Sequence, residues 1–256
     1  MEWSDSALVL GVGRFREADL WVRLLTRRHG IVTAFALGGS RSRKRFCGCL
    51  DLFNELQIST KTTRNGMYLS LQEGILVRGP QRLRSDWNRV GMLMNCIRFV
   101  EALGVSPDTS GEAFALVKET LALLEEAERV QDLLPVLFRL RLASQQGYAP
   151  ALRACARCGK TLFDPAGFSV AEGTVLCPDC LGRRENIVEI SGKSLDVLRR
   201  VQEESPLRWN FAASDASGAG DEALLPSERR ECARAVDGFV QYHLGLTWDK
   251  GRFRRV

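Results

Sequence analysis

Up to about position 80 the apolar residues arrive in short runs separated by turn residues, a pattern that predicts strands rather than helices. Ser6–Phe15 (SALVLGVGRF) and Leu20–Thr26 are rich in Leu and Val and are joined by a short Arg-Glu-Ala-Asp connection. Gly30–Leu37 opens at a His-Gly turn and closes at Gly38-Gly39. Leu50–Thr60 alternates, with Leu50, Leu52, Leu56 and Ile58 on one face and Asn54 the single polar intruder. Asn65-Gly66 is a hairpin signal, and Met67–Leu71 is the returning strand. Five short strands over this length predict a small closed barrel, with the five-stranded OB-fold the leading candidate and a small open sheet its competitor.

After Gly79-Pro80 the spacing turns helical. Asp86–Leu103 carries Val90, Leu93, Met94, Ile97 and Val100 at helical steps. Ser110 is placed to N-cap a helix reaching Glu126, with Phe114, Val117, Leu121 and Leu124 on one stripe. Leu133–Gln146 predicts a third helix, in which Pro135 is tolerable at the first turn. Residues 152–184 break the helical pattern, and Ser194–Glu204 resumes it. Ala212–Ala223 (AASDASGAGDEA) is small and polar, as a surface loop or linker would be. Pro226-Ser227-Glu228 opens a last amphipathic helix through Leu244. The basic end, Lys250, Arg252, Arg254 and Arg255, is expected to be a disordered tail rather than a second nucleic-acid contact. No internal repeat is found.

Charge sharpens this picture. The formal net charge of +5 is modest, but residues 1–82 hold 13 Lys/Arg against 7 Asp/Glu while the remaining 174 hold 23 against 24. All the excess positive charge therefore falls in the barrel segment. Its densest point is Arg41-Ser-Arg43-Lys44-Arg45, with Arg14, Arg16, Arg23, Arg27 and Arg28 in the same third of the chain. A solvated basic loop is the bland explanation. Clustered cations that release counterions from a polyanion are the functional one, and these nine residues are the candidate nucleic-acid phosphate contacts. Trp21, Phe35 and Phe53 lie in the right segment to stack on bases, although such side chains also suit a core.

The most specific chemical signal is Cys155-x2-Cys158 and, eighteen residues on, Cys177-x2-Cys180. Two Cys-x2-Cys knuckles deliver four thiolates from two turns, the donor set of tetrahedral structural zinc. Gly159 supplies the unhindered backbone a tight turn needs, Pro178 sits inside the second knuckle, and Phe163, Phe168, Val170 and Val175 are enough for a hairpin over the metal. One structural Zn2+ per chain is expected, in a closed site with no position for an activated water. Unrelated cysteine pairs or a redox dithiol are the alternatives. Cys47, Cys49, Cys96 and Cys232 are expected to pack in the core, the first two sharing a strand face.

The resulting fold class is α+β: an N-terminal small β-barrel of OB type over residues 1–80, then an α-helical domain over 81–256 with a zinc-ribbon-like insertion at 152–184. Several functions are disfavoured. No run approaches the length of a membrane helix, and the first residues, Met1-Glu2-Trp3-Ser4-Asp5, do not resemble a secretory signal, so a cytoplasmic protein is expected. Eight cysteines are too sparse for a disulfide scaffold. Gly159-Lys160-Thr161 and Gly192-Lys193-Ser194 lack the upstream glycine of a phosphate-binding loop, and Gly11-x-Gly13 is followed by Arg16 where a dinucleotide fingerprint needs glycine. Cys177-Pro-x-Cys180 would suit a zinc deaminase, but neither histidine, His29 nor His243, is followed by x-Glu. His29 is expected in a turn and His243 on a helix face. No catalytic residues are assigned, and the chain is not expected to be an enzyme.

In this order of parts the whole chain resembles the bacterial RecO family of recombination mediators. The likeness rests on Gly30–Arg45, on Leu152–Gly159 (LRACARCG) with its Cys177–Cys180 partner, and on a last helix ending near Tyr242-His243-Leu244-Gly245. The resemblance implies a DNA repair protein that binds single- and double-stranded DNA and anneals complementary strands. Its implied partners are RecR, the acidic C-terminal tail of single-strand-binding protein and, indirectly, RecA, with work at the nucleoid during repair. No motif marks the tail site; Arg139 and Arg141 beside Phe138 are a guess for it. A zinc-ribbon plus OB-fold protein acting on RNA or in transcription is the alternative, and a protein-binding scaffold with an incidental basic loop is a third reading.

Overall fold

The computed structural model describes residues 2–63, 66–161, 164–182, 186–209 and 224–256. Asn65, Phe163 and the Ala212–Ala223 stretch, all singled out in the sequence, lie outside the described residues. The chain falls into two compact units, Met1–Trp87 with Gly104–Leu121, and Asn88–Leu103 with Ala122–Val256.

The first unit is a closed barrel of β1 (Glu2–Arg14), β2 (Leu20–Thr26), β3 (Gly30–Ala36), β4 (Glu55–Thr62) and β5 (Leu69–Arg78) in the order β1-β2-β3-β5-β4. All neighbours are antiparallel except β3 and β5, whose short parallel pairing at Ala34–Leu69 and Phe35–Ser70 closes the cylinder as an OB-fold does. Strand alternation fills the interior: Ala7, Val9, Val22, Leu24, Ala34, Ala36, Leu56, Ile58 and Leu71 are buried together with Phe46 and Cys49. A bulge between Val9 and Gly11 flips the phase of β1, so that Val12 packs with the core while Gly11 and Gly13 face outward. Helix α2 (Ser110–Glu126) starts at the far end of the barrel. There the buried Ser110 hydroxyl donates to the Thr26 carbonyl and accepts from the Gly30 amide at 3.1 Å, and Lys118 reaches Glu55 at 2.6 Å.

In the second unit, helices α1 (Trp87–Leu103), α3 (Leu134–Gln145), α5 (Gly192–Glu203) and α6 (Pro226–Leu244) surround a core in which α3 is buried along almost its whole length. The Arg89 guanidinium is buried and donates to the carbonyls of Leu124, Ala127 and Glu128, satisfying acceptors that the end of α2 would otherwise leave orphaned. A four-stranded sheet, β6 (Ala151–Cys155), β7 (Ala166–Ser169), β8 (Thr174–Leu176) and β9 (Ile187–Ile190) in the order β6-β8-β7-β9, carries the short helix α4 (Pro178–Leu181). The chain ends in a hairpin of β10 (Leu246–Asp249) and β11 (Arg252–Arg255). Among the described residues no helix is long and apolar enough to cross a membrane.

Five expectations need correction. Leu50–Asn54 belongs to a loop, not to β4: Phe53 has φ 70, and the Asn54 amide, 2% exposed, donates to the Cys49 carbonyl and accepts from Arg84, both at 2.8 Å. Leu50 of that loop packs against the barrel interior. Ser110 does not cap α2, because a 3-10 turn at Pro107–Thr109 precedes it and its hydroxyl is spent on the barrel. Cys47 is exposed rather than packed, and neither it nor Cys49 lies on a strand. The basic C-terminus is not a loose tail: Phe253 packs on Phe99 and Trp248 at centroid distances of 5.0 and 4.9 Å, and the Val256 amide donates to the Gly245 carbonyl. Finally, Arg139, Arg141 and Phe138 do not form an open notch. Phe138 is fully buried, Arg139 is engaged by Asn95 and Asp237, and Arg141 donates to the Gln202 carbonyl.

Candidate nucleic-acid interface and metal centre

Outward-facing positions of β1, β2 and β3 form one surface. Gly13 pairs with Trp21 and Trp21 with Phe35, while Gly11 pairs with Arg23 and Arg23 with Thr33. Trp21 lies across the bare backbone of β1: a Cβ at Gly13 would sit 2.5 Å from its ring and one at Gly11 3.4 Å. The Gly-x-Gly that fails as a nucleotide fingerprint thus acts as a bed for an indole. Phe35 continues the row to Phe15, at a centroid distance of 4.7 Å, and to Tyr68, at 5.5 Å edge-on. Phe15 and Tyr68 come from the β1–β2 and β4–β5 connections and remain about half exposed, at 50% and 51%. Rings held at one end of a barrel with exposed faces are what stacking on unpaired bases requires.

Cations gather at the same end. Arg14 is exposed at the end of β1, and the Arg16 guanidinium lies 5.3 Å from the Phe15 ring centroid. The Gly38-Gly39-Ser40-Arg41 turn is pinned to the β1–β2 loop. Asp19 accepts from the Gly38 amide at 2.7 Å, and both the amide and the hydroxyl of Ser40 donate to the Ala18 carbonyl. Both glycines are required: Gly38 has φ 66, and a Cβ at Gly39 would strike Ala36 at 2.9 Å. Arg41, Arg43 and Lys44 follow, all exposed. Among the described residues, Arg14, Arg16, Arg41, Arg43 and Lys44 make no ion pair. Arg45 is more committed, donating to the Leu37 carbonyl at 2.6 Å and lying over Phe46.

The nine candidate cations do not all converge. Arg23 sits half-buried on the outer face of β2, beside Trp21. Arg27 and Arg28 occupy the β2–β3 turn, at the opposite end of seven-residue β2. At roughly 3.3 Å per residue this puts them about 20 Å away. Arg28 is also tied down there, to the Ser4 carbonyl and to the buried Asp5 carboxylate, which further meets His29 at 3.2 Å. Of the candidate stacking residues, Phe53 is core, 4% exposed, whereas Trp21 and Phe35 are half-buried on the outer surface. Sequence reasoning passed over Phe15 and Tyr68. Phe15, placed just after the alternation of β1 ends, could have been found by its position; Tyr68 carried no signal of its own.

The four cysteines meet. Cys155 ends β6, Cys158 lies in the turn after it, Cys177 precedes α4 and Cys180 lies within it. Gly159 adopts φ +74, as the turn requires, and its amide donates to the Cys155 carbonyl. All four sulfurs lie within 4.8 Å of one another, and Cys158 Sγ and Cys177 Sγ are 3.7 Å apart. A tetrahedron with metal–sulfur bonds of about 2.3 Å has edges of about 3.8 Å, so the set can hold a metal ion. Burial alone would push the Cys155 thiol up, but amides of Cys177, Cys158 and Arg157 outweigh it and bring the group down to about 6. Cys180, facing Cys177 and Cys158, is instead pushed up to about 12. One thiolate thus forms readily while those of Cys177 and Cys180 are made harder to form, a conflict that a bound cation removes. Cys96 and Cys232 are buried, and burial raises both to about 12, which leaves them inert packing groups.

Residues 1–80 match the family model "Recombination protein O N terminal", and residues 84–252 match "Recombination protein O C terminal". A "DNA repair protein RecO" from Nitratidesulfovibrio vulgaris (strain DP4) is 52% identical over 262 residues, covering 100% of both chains. Proteins of the same name from Lawsonia intracellularis (strain PHE/MN1-00) and Myxococcus xanthus (strain DK1622) are 44% identical over 256 residues and 30% over 244. The former alignment covers both chains entirely, the latter 95% of this chain and 93% of its relative.

Proposed function

The chain belongs to the RecO family of DNA repair proteins, and from that premise we propose that it is a recombination mediator whose barrel binds DNA without cutting or joining it. Single-stranded DNA lies along the outer face of β1–β3, its bases on Phe15, Trp21, Phe35 and Tyr68 and its phosphates on Arg14, Arg16, Arg41, Arg43 and Lys44. The observation that carries this reading is the coincidence of four neighbouring aromatic rings with cations that make no ion pair among the described residues, on the face by which OB-folds take oligonucleotides. Double-stranded DNA is held by its phosphates alone, and annealing follows because neutralised strands can approach and pair. With RecR the protein helps RecA displace single-strand-binding protein, whose acidic tail it contacts, and it does so in the cytoplasm at the nucleoid. The metal is one structural zinc held by Cys155, Cys158, Cys177 and Cys180, and its contribution is to fold the β6–β9 module.

The test is a titration of labelled oligothymidylate at several salt concentrations. Alanine at Phe15 or Tyr68 is expected to cost about 1–3 kcal/mol of binding each at constant salt slope. Alanine at Arg41, Arg43 and Lys44 together should lower the log–log salt slope by about 2, at roughly 0.7 per phosphate lost. Alanine at Arg27 and Arg28 should leave that slope nearly unchanged. Equal slope losses from both cation sets would mean that the barrel end is not the interface.

A further inference from the structure

The second unit carries a concentration of positive charge that the barrel reading does not use. Between α1 and the β10–β11 hairpin lies a cleft of about 680 Å³, lined by Arg98 and Glu101 on α1 and by Lys250, Arg252 and Arg254 on the hairpin. Four cations thus face one carboxylate. Asp249 takes Arg254 at 3.1 Å, while among the described residues Arg98, Lys250 and Arg252 form no ion pair. These cations are also preordered. Phe253 is clamped by Phe99, Trp248 and the Arg139 guanidinium, 5.6 Å from its ring centroid. Gly251, with φ +80, brings bare backbone against the Arg98 guanidinium, where a Cβ would come within 3.2 Å.

Like charges held together by a folded scaffold repel one another, and only an anionic ligand relieves that repulsion. The cleft offers little to a peptide, whose affinity rests on apolar anchors. Ala102 is small, and the half-buried Phe253, which also lines the cleft, has its ring already packed on Phe99 and Trp248. Phosphodiesters need only the charges and an open cleft. We propose that the cleft between α1 and the terminal hairpin is a second nucleic-acid site, which binds the phosphate backbone of another strand. This rests on the barrel reading only for the kind of polyanion. It supplies what annealing by one chain needs, a place for the complementary strand while the first is held elsewhere.

Two variants test it: Arg252→Glu alone, at an exposed side chain, and Arg98→Gln with Lys250→Asn, since asparagine tolerates the φ of 45 at position 250. Thermal melts should match the parent. Oligothymidylate titrations should then show the tight phase intact and a weaker second phase reduced roughly tenfold or more at low salt. The rate of annealing of complementary strands should fall in step. A barrel variant, Phe35→Ala with Tyr68→Ala, should lose the tight phase instead. If the hairpin variants keep both phases and anneal normally while the barrel variant loses its phase, the cleft proposal fails and the barrel reading stands. If neither set changes binding, both fail. If the hairpin variants lose binding to polyglutamate but not to DNA, the cleft is a peptide site and the proposal is overturned.

Discussion

Gly13→Ala isolates the role of the indole bed. Gly13 has an ordinary φ, so alanine there would normally gain about 0.4–1 kcal/mol by restricting the unfolded chain. The Trp21 ring reverses the sign. The new methyl would lie 2.5 Å from Cε2, Cζ2 and Nε1 of the indole, whereas carbon atoms rest at about 3.5–4.0 Å, an overlap of about 1 Å or more. Gly13 and Trp21 face each other across paired strands, so the backbones cannot part without breaking the ladder, and the ring must swing off its bed. Overpacking of this kind costs about 1–3 kcal/mol. Set against the gain, stability should fall by about 1 kcal/mol.

Oligothymidylate affinity should fall with it by about 1–3 kcal/mol, the worth of one stacked base, or about 5- to 150-fold. Urea denaturation and fluorescence anisotropy measure the two effects. The decisive comparison is a double-mutant cycle with Trp21→Ala. Once the ring is gone, Gly13→Ala should be neutral for DNA and stabilising by up to about 1 kcal/mol. Equal losses in both backgrounds would refute the argument, because the damage would then not pass through the indole.

Two further predictions concern the second unit. Freshly purified protein should contain about one zinc per chain by elemental analysis, and Cys177→Ser should abolish it; a metal-free sample that keeps its melting temperature would refute the structural role. Glu231 is partly buried, which raises its pKa, but donors at the Ser191 amide and the Ser194 hydroxyl, at 2.9 and 2.7 Å, hold it below the ordinary 4.5. A depressed folded value stabilises above the unfolded one and is lost as pH falls through it, so denaturation midpoints should drop below pH 4.5, and less steeply in Glu231→Gln.

Alternation and turn residues made most of the barrel legible. β2 runs over Leu20–Thr26 as its sequence pattern predicts, and the last helix over Pro226–Leu244 likewise. Failures occurred where one local pattern serves two geometries. Leu50–Asn54 alternates like a strand in the sequence, but the fold buries Phe53 and Asn54 side by side in a loop, and only the left-handed Phe53 and the buried Asn54 amide betray it. The C-terminal hairpin was missed because its basic residues advertise solvent, while the one that fixes it, Phe253, finds its partner Phe99 far away in the chain. The cysteine cluster was legible because both halves of its geometry are local turns and only their meeting is tertiary.

Charge was the least legible property, since a sequence counts cations and a fold distributes them. Nine residues looked like one basic segment. Strand direction sends Arg14 and Arg16 to one end of β2 and Arg27 and Arg28 to the other, and Asp5 then claims Arg28. The aromatic row gains weight for the same reason: Phe15, Trp21, Phe35 and Tyr68 come from four separate stretches, and only the register Gly13–Trp21–Phe35 with the β3–β5 closure makes them neighbours. A core explains why a ring is buried, but not why Phe15, Phe35 and Tyr68 touch in a partly exposed row, with Trp21 on the paired strand, beside cations that make no ion pair among the described residues. That arrangement leaves apolar and charged surface uncompensated in the free protein, and unpaired bases on a phosphate backbone compensate both at once.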